Sequence, residues 1–357
     1  MMISRVSSTV LCLFCIKGMN ELMFKLYKQM LKVWLLILCG ISSASASSLD
    51  WTTFKQRFMA PDGRILDSGN RNISHTEGQG FSMLFAVGAN DKTSFDKIWG
   101  WTHSHLKDQK SGLFYWRYNP VIADPIEDKN NASDGDVLIA WALLKAGQRW
   151  NHKPYLTESD RIVRAVLNHT VIDFAGRKVM LPGRSGFTAQ DSITLNPSYF
   201  IFPAWRDFAE RSYLANLWTL IEDSQQLMTD IDWGQHRIPT DWITLYADGK
   251  TAPATKWPAR VSYDAIRVPL YMKWDRADNP LLGRWQSWFS GYSRLKTPAW
   301  ENMANHEVAN YPMRGGLLAV RDYTMNQLSS DATKVRASDD YYSASLKLLA
   351  ALANDGF

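Results

Sequence analysis

Cysteine is nearly missing from this 357-residue chain, and the three that occur, Cys12, Cys15 and Cys39, all fall within the first 46 residues. The C-L-F-C spacing of the first two is therefore neither a redox motif nor half of a zinc site. From Ser47 onward there is no thiol, so no disulfide framework can exist there, and a chain of this length buries a core large enough to do without one. Long apolar runs are missing too. The best, Val33–Ile41 (VWLLILCGI), falls short of the ~18 continuous residues expected of a membrane span. With Lys25, Lys28 and Lys32 before it and Ala44-Ser45-Ala46 after it, that run reads as the h-region of an export signal, removed before Ser47. An uncleaved anchor is the competing reading. Leu38 before Cys39 excludes a lipid-modified cysteine, and Met19 or Met23 would serve as a start for a complete signal. Residues 1–46 are thus expected to be a leader and 47–357 a single domain, destined for the periplasm or secretion, with no stable membrane span after cleavage.

A basic face is also lacking. The net charge of +5 includes a leader with five Lys/Arg against one Glu, which leaves residues 47–357 near +1 and without a basic block. Nucleic acid is excluded as a partner on that ground. The seven histidines form no H-x-x-H or H-E-x-x-H pattern, so no catalytic metal and no cofactor are expected. What the chain has in excess is tryptophan, 16 in all, of which only Trp34 is in the leader. Indoles in an exported protein serve as core mass or as flat platforms for sugar rings, the first being the commoner use.

Helical periodicity recurs at 78–90, 94–106, 135–147, 157–171, 198–210, 213–229, 263–274, 279–291, 315–328 and 339–353, while convincing alternating strands are scarce. The helices pair across short connections, as at Tyr199–Glu210 and Tyr213–Met228 with Arg211-Ser212 between them. Ten or eleven helices arranged as hairpins predict a closed toroid. An α-solenoid competes, but no residue signature repeats at fixed period.

Three helix starts carry an acid. Ser133 can cap a helix with Asp136 three residues on, which places Asp134 in the first turn. Ser74-His-Thr-Glu77 repeats the pattern, and Gly78 and Gly80 just after it imply close approach of something to the backbone, either a sugar ring or a packed helix. Ser262 is the expected cap of a third helix, with Asp264 one turn from Arg267. Singly, each acid can be explained as a partner of its helix dipole. Together they are expected to converge, because parallel helices in a toroid bring their N-termini to one rim.

These segments carry a resemblance. A-S-D-G-D-x-x-I-A-x-A-L-L-x-A-x-x-x-W from Ala132 to Trp150, S-Y-D-A-I-R at Ser262–Arg267, N-P-S-Y at Asn196–Tyr199, T-E-G-Q-G at Thr76–Gly80 and S-D-x-Y-Y at Ser338–Tyr342 resemble glycoside hydrolase family 8 over nearly the whole of residues 47–357. Within that family the resemblance runs to the periplasmic endo-1,4-β-glucanases associated with bacterial cellulose synthesis. It implies an all-α fold, an (α/α)6 barrel of helical hairpins, and hydrolysis of β-1,4-glucan with inversion. Matched by motif, Glu77 is the general acid and Asp264 the general base. Asp134 binds and distorts the sugar, with the base role as its alternative. Tyr199 lies near the attacking water, and Arg267 keeps Asp264 ionised. Trp116, on the loop leading towards Asp134, is the expected stacking platform, with core packing as its other reading. The same fold also serves xylan, chitosan and mixed-linkage glucan. A different class of function, non-catalytic glucan binding within a cellulose export machinery, would not require the acid–base set to be retained.

Overall fold

The computed structural model describes residues 49–212 and 214–357; the expected leader, with its expected h-region and cleavage site, lies outside the described residues. Eleven α-helices occur among the described residues: α1 (Trp51–Phe58), α2 (Thr76–Gly88), α3 (Lys92–Leu106), α4 (Ser133–Arg149), α5 (Lys153–His169), α6 (Phe202–Ser212), α7 (Ala215–Thr229), α8 (Arg267–Asp275), α9 (Leu282–Ser290), α10 (Gly315–Thr324) and α11 (Tyr341–Asn354). All ten periodic segments are found as helices, and α1 is an addition. Most boundaries shift by up to four residues, and two of these shifts bear on the site and its neighbours. The helix expected to end at Glu210 runs on through Arg211 and Ser212, and the one expected from 263 begins only at Arg267.

Burial sorts the helices into two layers. In α2, α4 and α11 nearly every residue is buried, so these helices lie inside, whereas α5 buries one stripe, including Tyr155, Ile162, Val163 and Val166, and lies outside. The inner helices pack in the order α2, α4, α6, α8, α10 and α11, which closes back onto α2. Around them α3 packs on α2, α5 on α4, α7 on α6, α9 on α8 and α10, and α1 on α11. This is an (α/α)6 barrel in which the connection between α10 and α11, residues 325–340, contains no helix. Trp141, Trp205, Trp285 and Trp288 are fully buried and supply core mass.

Small residues let the inner helices start side by side. A Cβ on Gly78 would lie 2.6 Å from Tyr341 Oη, and one on Gly80 would lie 2.5 Å from Leu138 Cβ. The glycines after Glu77 therefore serve helix packing, and the sugar-approach reading is set aside. A Cβ on Gly135 would likewise collide with Thr76, and one on Gly315 with Ser343. These contacts join first turns to first turns, so α2, α4, α10 and α11 run parallel and open on one rim.

Nine short strands decorate the described residues, none longer than four residues. β1 (Ser74–His75) pairs antiparallel with β2 (Arg117–Tyr118), which ties the start of α2 to the loop bearing Trp116. β3 (Val171–Phe174) and β4 (Arg177–Met180) form a hairpin after α5. β5 (Ser192–Leu195), β6 (Ile243–Tyr246) and β7 (Thr251–Pro253) form a three-stranded antiparallel sheet. β8 (Arg260–Val261) pairs with β9 (Glu301–Asn302) immediately before Asp264.

Candidate active site

A cavity of about 240 Å³ at the rim is lined by Glu77, Trp116, Asp134, Tyr199, Asp264 and Arg267, the six residues selected from the sequence. None of the three expected serine caps holds, however. His75, not Ser74, precedes α2, and its Nδ1 accepts from the Gly78 N–H at 3.1 Å. Ser74 Oγ donates instead to the Ile65 carbonyl. Ala132 is the N-cap of α4, while Ser133 Oγ donates to the Leu181 carbonyl at 2.6 Å. Asp136 takes the Phe114 N–H at 2.9 Å and the Asn131 amide at 2.8 Å. Ser262 lies well before α8, and its hydroxyl and N–H both bond to Asp241. Each serine is drawn away by a partner distant in sequence, which a local capping pattern cannot register.

Arg267 organises the acids. Buried at the start of α8, it pairs with Glu77 through Nη1, and through Nη2 it donates to Asp264 Oδ1 at 2.9 Å and Ser198 Oγ at 2.8 Å. The expected Asp264–Arg267 pair is present; the bridge to Glu77 was not foreseen. Asp264 occupies the turn before α8 and not a helical first turn, and Asn196 donates to its Oδ2 at 3.2 Å. That turn is held from outside by Asp241, which accepts the N–H groups of Ser262 at 2.9 Å and Ala265 at 2.8 Å. About a third of the Asp264 side chain (35%) stays open to the cavity.

Burial pushes Asp264 up to about 7, with repulsion from Asp241 and Asp134 adding to it, against the hydrogen bonds from Asn196 and Trp242 that favour the carboxylate. Burial likewise raises Asp134 to about 7; its Oδ1 accepts the Gly135 N–H at 2.8 Å. Tyr199, at the end of the 3-10 turn Pro197–Tyr199, is held well above its ordinary range by burial and by the charges of Asp134 and Asp264, so it remains a hydroxyl donor. His75 Nδ1, which accepts from the Gly78 N–H, lies 3.8 Å from Glu77 Oε2. Trp116 is half-buried, its indole N–H bonded to Asp128 at 2.8 Å, and the Thr76 N–H donates to its carbonyl at 3.0 Å beside Glu77.

A carboxyl raised to about 7 keeps its proton in the folded chain at pH values where the unfolded chain has lost it. The folded state then binds more protons between about pH 4 and 7, and stability falls as pH rises through that window. Asp134→Asn removes this penalty. Its melting temperature at pH 8 is expected to exceed that of the unchanged protein by roughly 2 °C or more, with the difference vanishing near pH 4. Equal melting at both pH values would mean that Asp134 ionises at no cost in the folded cleft.

Acids gathered around an arginine at the mouth of an (α/α)6 barrel are compatible with acid–base cleavage of a polysaccharide. Comparison with known proteins agrees: residues 19–356 match the model of Glycosyl hydrolases family 8. The chain belongs to that family and is a glycoside hydrolase. It is 57% identical over 277 residues to an endoglucanase of Cellulomonas uda, covering 78% of this chain and 77% of that one. A probable endoglucanase of Novacetimonas hansenii is 36% identical over 310 residues, covering 86% and 91% of the two chains. The crystal structure of endoglucanase Cel10, a family 8 glycosyl hydrolase from Klebsiella pneumoniae, matches with a TM-score of 0.85 at 56% identity, over 86% of this chain and 99% of that one.

The residues that sequence reasoning missed are the supports. Asn196 and Ser198 stood inside a quoted motif without a role. Asp241 and Trp242, on the loop before β6, carried no capping signature or helical period that would have singled them out.

Proposed function

We propose that the protein is an inverting endo-β-1,4-glucanase acting on cellulose chains, with Glu77 as general acid and Asp264 as general base. The observation that carries this reading is the meeting of Glu77, Asp134, Asp264, Tyr199 and Arg267 around one cavity. Inversion requires an acid for the leaving oxygen and, about 6.5–9.5 Å away, a base for the water attacking the opposite face. Asp264 suits the base, since Arg267 and Asn196 hold its carboxylate in place and Tyr199 lies beside it to orient a water. Glu77 suits the acid through the charge balance of the cluster. Repulsion among Glu77, Asp134, Asp264 and Asp241, which Arg267 only partly offsets, favours keeping a proton in the cluster; with that proton on Glu77, the carboxyl passes it to the glycosidic oxygen as the bond to the leaving sugar breaks. Asp134, buried beneath the cavity, grips and distorts the sugar at the cleavage point, and Trp116 stacks on a ring further along.

Residues 1–46 are proposed as the cleaved leader and 47–357 as the mature single-domain enzyme, working in the periplasm or outside the cell. The setting we infer is bacterial cellulose production, beside the export machinery; the run of motifs from Thr76 to Tyr342 supports it. The test of substrate and stereochemistry is release of reducing ends from carboxymethylcellulose, xylan and chitosan, with the anomer of the first product followed by NMR. Activity mainly on carboxymethylcellulose with the α-anomer first is expected. A preference for xylan or chitosan would move the substrate, and a β-anomer first would overturn inversion.

A further inference from the structure

The cavity of about 200 Å³ on the outward face of the β5–β6–β7 sheet shares no lining residue with the catalytic cavity. Strand alternation places Ser192 and Thr194 of β5 on this face, opposite Tyr246 and Thr244 of β6, with the flanking loops adding Thr188 and Trp257. Ile193, Leu195, Ile243 and Leu245 point the other way, into the core. Among the described residues the hydroxyls of Thr188, Ser192, Thr194, Thr244 and Tyr246 have no hydrogen-bond partner, and Tyr246 is 40% exposed. Phe187 and Trp257 line the same cavity and belong to an aromatic stack: Trp257 lies 4.5 Å from Trp242 at 9°, and Phe187 lies 6.0 Å from Trp242 at 4°. Trp242 in turn packs against Tyr199 of the catalytic cavity, with ring centroids 6.2 Å apart.

Uncommitted hydroxyls around a flat indole, with Lys256 as the one charged lining residue and no carboxylate, match a polyhydroxylated ring: hydroxyls and the lysine ammonium answer hydroxyls, and the indole face takes the C–H face of a pyranose. We propose that this sheet face is a second glucan-binding station, separate from the catalytic cavity, that holds polymer while bonds are broken elsewhere on the rim. It rests on the glucanase reading for the identity of the sugar. A short oligosaccharide that fills only the catalytic cavity gains nothing from the station; a polymer does.

The experiment pairs two readouts on two variants, Trp257→Ala and the double variant Thr194→Val with Thr244→Val, which keeps β-branched side chains on both strands. Polymer affinity is read as retardation in native gels containing hydroxyethylcellulose, in a Glu77→Gln background that leaves the polymer uncut. Oligosaccharide turnover is read as kcat/KM on cellotetraose with Glu77 intact. Both variants are expected to bind polymer about tenfold more weakly, the loss of roughly one good contact, with cellotetraose turnover within about twofold of the parent. Unchanged retardation in both variants would overturn the station. So would a parallel loss of cellotetraose turnover, which would make the cavity an arm of the catalytic cleft. If the unaltered enzyme hydrolyses no glucan, the glucanase reading falls and the station with it; normal hydrolysis with unchanged retardation removes the station alone.

Discussion

Glu77→Gln is expected to lower turnover of carboxymethylcellulose by about a thousandfold, the size typical of losing a positioned general acid. The amide keeps the shape of the side chain and its place beside Arg267 but has no proton to give. The decisive readout is therefore the leaving group. A cellobioside of 2,4-dinitrophenol departs without protonation, so the same variant should lose far less on that substrate than on a glucan. An equal loss on both would mean that Glu77 binds or orients the sugar and does not protonate it.

Asp264→Asn is the second large effect, again a loss of about a thousandfold in kcat, since among the described residues no other carboxylate accepts from both Asn196 and Arg267. Asp134→Asn tests the alternative: if it removes more activity than Asp264→Asn, the roles of the two acids exchange. The pH profile adds a sign. With Asp264 as the proposed base, which must be ionised to work and is raised to about 7, kcat/KM should climb as pH rises through that region. Asp241→Asn removes a repelling charge, which favours ionised Asp264 and should shift the acidic limb to lower pH. A limb that does not move would disconnect Asp241 from the base.

Much of this was legible from the chain because the information is local. The ten helices followed from 3.6-residue periodicity, and their division into inner and outer layers follows from whether the apolar positions cover all sides, as in α4, or one stripe, as in α5. Six of the twelve lining residues were legible because each belongs to a motif or loop beside a helix start. The reason first given for the acids did not survive. Ser74, Ser133 and Ser262 bond elsewhere, so the pattern that drew attention to Glu77, Asp134 and Asp264 marked their place without explaining it.

The sequence by itself determined the closed barrel of helices, the rim on which the acids lie, and the absence of thiol chemistry from residue 47 onward. Tertiary structure alone decided which charges meet. Arg267 touches Glu77 because α8 and α2 open on the same rim, Asp264 sits in a turn pinned by Asp241 from another loop, and Trp242 links the catalytic cavity to an outlying sheet. A cap or a period involves neighbours within four residues and can be read from their order. A charge pair across a ring of six helices depends on the closure of the whole ring, which no local spacing records.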